Sequence, residues 1–366
     1  MKVIVFRVDA SILIGIGHVM RCLTLAEVLR ETGAICRFVC REYTGHCINE
    51  IKQQGFQVYV LPDSSHETKE RLTYKSEYAG WLGEDIMVDA SRTVTKLNGE
   101  VVDWIIVDHY GIDSRWESVL QANCKQLMVI DDLIDKPHNC DILLNQNLGV
   151  AEKEYNELLS PTTHLLLGPK YALLRPQFEA LRQYSLERRN DFNLKTILVT
   201  LGGIDKDNLT AAVLAAVESS SLPRNITVNV VMGASAPWVE DIRNVAKQMC
   251  HEVNVMVNVK NMAKVMADSD LAIGAAGGTS WERCCLGLPT LLVTLAANQQ
   301  KVAADLTTRG CVKLVGNADD VQGSLPPMLS LMQTPEELRS MSKNCAAISD
   351  GKGAYRVTQK ILNYRA

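Results

Sequence analysis

The stretch Arg7-Val8-Asp9-Ala10-Ser11-Ile12-Leu13-Ile14-Gly15-Ile16-Gly17-His18-Val19-Met20-Arg21 follows an apolar run, Val3-Ile4-Val5-Phe6. The run reads as a first strand, and the residues from Val19 to Leu29 read as a helix that ends near Gly33. The chain therefore opens strand, glycine-bearing loop, helix, with a histidine at the helix start. Free backbone N–H groups at a helix N-terminus attract anions and disfavour a protonated imidazole. That leaves His18 suited to act as a general base near neutral pH. Arg7, Asp9 and Arg21 crowd the same loop. A carboxylate there would orient the imidazole and favour its protonated form, which opposes the effect of the helix end. A capping or packing role for His18 is the plain alternative.

Outward from this opening, short β-rich runs alternate with amphipathic helical stretches, the pattern of an α/β fold with parallel sheets. Strands are expected at 3–8, 35–40, 57–61, 104–108, 127–131, 142–144 and 164–167, with helices near 18–32, 45–54, 67–79, 83–97 and 114–123. The pattern restarts at Thr196-Ile197-Leu198-Val199-Thr200-Leu201. Strands then follow at 226–232, 253–257, 271–274, 290–295 and 312–315. Helices are expected near 207–218, 237–248, 261–268, 279–287, 298–309, 335–346 and 354–364. The expectation is two Rossmann-like domains whose parallel sheets face a cleft: residues 1–170, a polar linker at 171–194, and residues 195–350. A last helix in 351–366 packs back on the first domain.

Composition narrows the function. The chain has 366 residues, 47% of them hydrophobic and 22% charged, with a net charge of −4. That balance offers no attraction to nucleic acid or acidic membranes, and no basic run or aromatic platform is present. No apolar run approaches the ~20 residues of a membrane helix. Eleven cysteines, an odd number without any CxxC and without a secretory leader, point to a reduced cytoplasmic protein rather than to disulfides or a metal site. Cys36, Phe38 and Cys40 alternate on one strand face, a core pattern.

Other strand ends carry polar chemistry. Leu271-Ala272-Ile273-Gly274-Ala275-Ala276-Gly277-Gly278-Thr279-Ser280-Trp281-Glu282 reads as a strand, a glycine turn and a helix start. Gly277 and Gly278 let backbone N–H groups approach a pyrophosphate, and Thr279 and Ser280 add donors. Glu282 could accept from ribose hydroxyls or simply favour the helix N-terminus. Gly202-Gly203 ends the first strand of the second half, facing the same ligand or forming a plain turn. Asn298 and Gln299 place amides at another strand end, with helix capping as the alternative. In the first half, Asp108-His109-Tyr110, Asp131-Asp132 and Asn145-Gln146-Asn147 end apolar strands. Gly15-x-Gly17 alone is weak evidence for a dinucleotide, because Met20 stands where a third glycine would.

Taken together these motifs resemble the hydrolases of UDP-2,4-diacetamido-2,4,6-trideoxy-β-L-altropyranose that serve pseudaminic acid biosynthesis. The resemblance rests on Arg7-x-Asp9, Gly15-x-Gly17-His18 with Arg21, Asp108-His109-Tyr110-Gly111-Ile112-Asp113, Ile130-Asp131-Asp132 and Asn145-Gln146-Asn147. It continues through Leu167-Gly168-Pro169-x-Tyr171-x-Leu173-Leu174-Arg175-Pro176, Leu201-Gly202-Gly203, the Gly274–Glu282 turn and Asn298-Gln299. It runs from residue 3 to about 310. That family is similar to the two-domain GT-B glycosyltransferases, including the one that adds GlcNAc to lipid-linked peptidoglycan precursors.

The resemblance implies metal-independent, inverting hydrolysis of a UDP-sugar to UDP and the free sugar, with no cofactor and with His18 as base. It implies a substrate-binding set of Arg7, Asp9, Gly15, Gly17, Arg21, Asp108, Tyr110, Asn145, Asn147, Tyr171, Asn298 and Gln299. UDP is expected at Gly202, Gly203, Gly277, Gly278, Thr279, Ser280 and Glu282. The only partner expected is the small-molecule UDP-sugar; oligomeric state is left open. A UDP-sugar glycosyltransferase of the same fold, or a catalytically silent nucleotide-sugar binder, are the alternatives.

Overall fold

In the computed structural model, residues 1–64, 78–191, 193–234 and 236–364 are described. The expected helix near 67–79 falls almost wholly outside them. The chain divides into two compact units, Met1–Leu173 with Gly353–Ala366, and Leu174–Lys352.

The first unit is built on β1 (Val3–Val8), β2 (Ile35–Arg41), β3 (Gln57–Leu61), β4 (Val102–Asp108), β5 (Cys124–Ile130), β6 (Ile142–Asn145) and β7 (His164–Leu167). These form one sheet in the order β3-β2-β1-β4-β5-β6-β7, and the described strand pairs are parallel. Helices cover both faces, so the central strands are apolar almost throughout. Ile4, Phe6 and Phe38 belong to one core and Val5, Val39 and Ile105 to the other. Chain order reverses between β1 and β4, where Val8 lies beside Asp108. In open parallel sheets such a reversal opens a crevice at the strands' C-terminal ends.

The first helix, Gly17–Glu31, buries Val19, Cys22, Leu23, Leu25, Ala26, Val28 and Leu29. It ends at Gly33, whose φ of +86° lets its N–H return to the Arg30 carbonyl. The C-terminal helix Gly353–Leu362 adds Ala354, Val357 and Ile361 to the same core.

The second unit carries β8 (Thr196–Thr200), β9 (Thr227–Met232), β10 (Glu252–Val257), β11 (Leu271–Ala275), β12 (Thr290–Val293) and β13 (Val312–Gly316). Their order, β10-β9-β8-β11-β12-β13, is again parallel and reverses between β8 and β11. Both units are thus Rossmann-like, and the fold is α/β.

Two elements depart from the sequence expectation. The polar stretch read as a linker contains a helix, Pro176–Arg188, within the second unit. Phe178 and Ser185 are its buried residues, and the Arg189 guanidinium beyond it donates to the carbonyls of Met266 and Ser269. No helix was expected over Val321–Leu331, which holds Pro326 and Pro327. It forms because Val321, Leu325 and Leu329 recur on one face and are fully buried.

Candidate active site

At the β1–β4 reversal the loop after β1 is folded by Ser11. Its hydroxyl accepts from Leu13 N–H (3.2 Å) and Ile14 N–H (2.9 Å), and its carbonyl accepts from Gly15 N–H (2.8 Å). Gly15 takes a φ of +78°, a conformation L side chains rarely adopt. Gly17 then begins the helix, and Ile16 at the cap position supplies no side-chain acceptor. His18 and Arg21, three residues apart, share one helix face.

His18 Nδ1 lies 2.7 Å from Asp108 Oδ1. Arg21 grips the same carboxylate with two bonds, Nε to Oδ2 at 2.6 Å and Nη2 to Oδ1 at 2.7 Å. Its third nitrogen, Nη1, donates to Asp132 Oδ2 at 2.5 Å. Tyr110 completes the cluster by donating its hydroxyl to Asp132 Oδ2 at 3.0 Å. Asp108 is wholly buried, whereas the His18 side chain is 11% exposed. Burial alone would raise the Asp108 pKa, but the Arg21 guanidinium and His18 beside it hold it well below the usual carboxylate range. A carboxylate so held accepts the Nδ1 proton and leaves the lone pair on Nε2, the arrangement a general base requires. Burial, then the Asp132 carboxylate, push the Tyr110 phenol well above its ordinary value, so it stays a neutral donor.

Aromatic rings wall this cluster. Tyr110 meets His18 edge to face with centroids 4.6 Å apart and stacks on Trp81 at 5.4 Å. Tyr78 lies edge-on to Trp81 at 4.9 Å and to Tyr110 at 5.3 Å. Neither Trp81 nor Tyr78 is legible as a site residue, since no strand end or helix start points to them.

Several expected substrate contacts are placed elsewhere. Arg7 and Asp9 are wholly buried beneath the site. Arg7 pairs with Asp9 at 2.8 Å and Asp89 at 2.7 Å, Arg41 pairs with Asp89 at 2.6 Å and with Glu84, and Trp116 Nε1 donates to Asp89 at 2.8 Å. They therefore brace the sheet. His109, also buried there, is pushed down to about 4 by desolvation, and its Nδ1 accepts from Gly111 N–H. Asp108 serves His18 and Arg21, with no surface left for substrate. Asn145 is buried and spent on Tyr155 and on the Asn147 N–H. Asn147 stays half-buried and donates to the Asp132 carbonyl at 3.2 Å. Tyr171 is half-buried against the first core, with the Lys170 ammonium 5.0 Å from its ring centre.

In the second unit the β8–β11 reversal carries the glycine turns. Gly202 has a φ of +105°, and the Gly203 carbonyl accepts from Gly233 N–H at 2.9 Å. A Cβ at Gly277 or Gly278 would meet nothing within 4 Å, so both face open space. Behind the turn Arg283, 1% exposed, donates to the Ala275 carbonyl at 2.7 Å, Ser280 Oγ at 3.1 Å and Thr279 Oγ1 at 3.2 Å. A side chain at Gly274 would strike its guanidinium, with Nη1 only 2.6 Å away. Because the arginine donates, the Thr279 hydroxyl keeps its own proton for another acceptor. Ser280, by contrast, is 2% exposed and reads as part of the brace. Burial raises the Glu282 pKa despite Arg175 Nη2 at 3.3 Å. Gln299 Oε1 accepts from Leu295 N–H at 2.8 Å; the Asn298 side chain lies outside what the structure describes.

The two parallel-sheet units define a GT-B-like fold, and residues 196–357 match the glycosyltransferase family 28 C-terminal domain. The chain is similar to the crystal structure of MurG from Acinetobacter baumannii with a TM-score of 0.68, at 14% identity and 99% coverage of each chain. In sequence the chain resembles the UDP-2,4-diacetamido-2,4,6-trideoxy-β-L-altropyranose hydrolase of Campylobacter jejuni. The two are 28% identical over 311 residues, 85% of this chain and 97% of that one. It is also 27% identical over 290 residues to an uncharacterized protein of Methanocaldococcus jannaschii; the match covers 78% of this chain but spans only 54% of that protein.

Proposed function

We propose that this protein hydrolyses UDP-2,4-diacetamido-2,4,6-trideoxy-β-L-altropyranose to UDP and the free sugar, within the biosynthesis of a pseudaminic-acid-type sugar. The observation that carries the reading is the 2.7 Å bond from His18 Nδ1 to a buried, arginine-held Asp108. In the proposed step a water oxygen bonds to C1 as its proton passes to His18 Nε2. The C1–O bond to UDP breaks with its electron pair on the β-phosphate oxygen, and C1 inverts. With His18 neutral, the group of His18, Asp108, Arg21 and Asp132 carries one net negative charge; the incoming proton balances it. UDP is a good leaving group, so donors to the diphosphate suffice and no strong acid or metal is required. Those donors are assigned to the Gly202-Gly203 and Gly277-Gly278 turns and to Thr279, with Glu282 toward the ribose. Gly15, Gly17, Arg21, Tyr110, Asn147, Tyr171, Asn298 and Gln299 are kept as sugar-side candidates. A cytoplasmic setting fits this role, and no helix among the described residues is long and apolar enough to cross a membrane.

One observation favours a second reading, transfer to an apolar acceptor. The loop before His18 exposes Ile12, Leu13 and Ile16 at 62%, 74% and 50%. Release of UDP from the sugar nucleotide in plain buffer containing a chelator separates the two. The hydrolase releases UDP and free sugar stoichiometrically, whereas the transferase releases UDP only when an acceptor is added.

A further inference from the structure

Asp131 and Asp132 are adjacent, yet only the first is spent on the fold. Both Asp131 oxygens accept backbone N–H groups of the following turn, from Leu133 at 3.2 Å and Ile134 at 3.0 Å. In Asp132 only Oδ2 is engaged, by Arg21 and by the Tyr110 hydroxyl. Its Oδ1 is buried and accepts no hydrogen bond among the described residues. Asp9 Oδ2, deeper in the same unit, also lacks a hydrogen bond, but it faces His109 Nε2 at 3.4 Å. Among the described residues Asp132 Oδ1 forms no such ion pair. A carboxylate oxygen left bare in a buried place is costly, and it calls for a partner such as a ligand, an ion or a bound water.

We propose that Asp132 is a specificity residue whose Oδ1 accepts one hydrogen bond from the pyranose of the substrate. The inference rests on the hydrolase reading above and deepens it. The neighbours fix the polarity: Arg21 and Tyr110 both donate to Oδ2, so the carboxylate cannot turn without losing them, and Oδ1 can only accept. A 2,4-diacetamido-2,4,6-trideoxy sugar joined to UDP at C1 offers three such donors, the two amide N–H groups and the hydroxyl on C3. Tyr110 touches both the His18 ring and Asp132, which keeps the acceptor beside the reacting group.

The test uses the full chain and Asp132→Asn. Arg21 and Tyr110 would hold the new amide by its oxygen and turn its NH2 toward the vacant position, so a donor on the sugar would meet a donor. Losing a hydrogen bond to a charged partner is expected to raise KM roughly 10–100-fold. The affinity for UDP alone should stay unchanged. Wild-type protein supplies an independent readout that needs no variant. Among analogues lacking one amide N–H or the C3 hydroxyl, one should lose that same factor, and it should lose nothing further against Asp132→Asn. Equal KM values for variant and wild type, or equal tolerance of every analogue by wild type, overturn the proposal. So does a loss confined to kcat with a moved pH profile, which would mean that Asp132 acts only through Arg21. Wild-type turnover of the diacetamido sugar nucleotide tests the hydrolase reading beforehand, so the two failures are distinct.

Discussion

His18 draws its chemistry from what lies behind it. An imidazole at a helix start is unremarkable until a buried carboxylate fixes its tautomer, and Asp108 does so at 2.7 Å while Arg21 keeps that carboxylate charged. Replacing His18 with Ala is expected to lower kcat by about 10²–10⁴-fold with KM little changed, the usual worth of a general base. Asp108→Asn removes the tautomer control and should fall in the same range, although His18 remains. Steady-state kinetics on both variants check this, and near-normal turnover of either would contradict the role. The structure brings His18, Arg21, Asp108 and Tyr110 together, and each could be singled out in sequence because it sits at a strand end or helix start, where local pattern reports position. Arg7 and Asp9 sit in the same motif but are wholly buried among charged partners. Whether a polar side chain near a strand end faces ligand or core depends on partners such as Asp89 and Arg41, which are far away in sequence.

At the scale of elements, the sheet of the first unit is held by buried charge as well as by apolar packing. Asp89, from the helix Ile86–Leu97, ties β1 to β2 through Arg7 and Arg41. Asp89→Asn takes from each of these two guanidinium groups one of its two carboxylate partners, so it should destabilise the protein at pH 7, by at most about 3–5 kcal/mol. Burial by itself would raise the Asp89 pKa, but the two arginines outweigh it and hold the group below the usual carboxylate range. Its contribution is therefore complete above the unfolded value of about 3.9 and is lost as pH falls through the lower folded value. Denaturant unfolding at pH 7 and pH 3 should show the gap between wild type and variant narrowing in acid. A gap that is absent at pH 7, or that widens in acid, would refute the assignment. Most strands and helices could be read from periodicity; the strand order could not. The helix Val321–Leu331 could not, since Pro326 and Pro327 argue against a helix locally while three buried side chains on one face impose it.

At the scale of the molecule, the restart of the strand pattern at Thr196 made two Rossmann-like halves legible. Less legible was which half owns the polar segment 176–188: its helix belongs to the second unit, a fact set by tertiary contacts such as Arg182 with the Ala346 and Ser349 carbonyls. The chain ends in the first unit, whose core takes in Ala354, Val357 and Ile361. Truncation after Lys352 should expose that core and lower the unfolding transition of the first unit, burial of each large apolar side chain being worth about 1.5–3 kcal/mol. Hydrogen exchange should show protection lost around β1 and the helix Gly17–Glu31 and kept in β8 to β13. Uniform loss, or none, would contradict this assignment.

The most direct test of the central claim is turnover of UDP-2,4-diacetamido-2,4,6-trideoxy-β-L-altropyranose in H₂¹⁸O without added metal, followed by NMR and mass spectrometry. Water activated by His18 for attack at carbon predicts the label on the anomeric oxygen of an inverted sugar, with UDP unlabelled. Label in UDP would mean attack at phosphorus and would contradict the account.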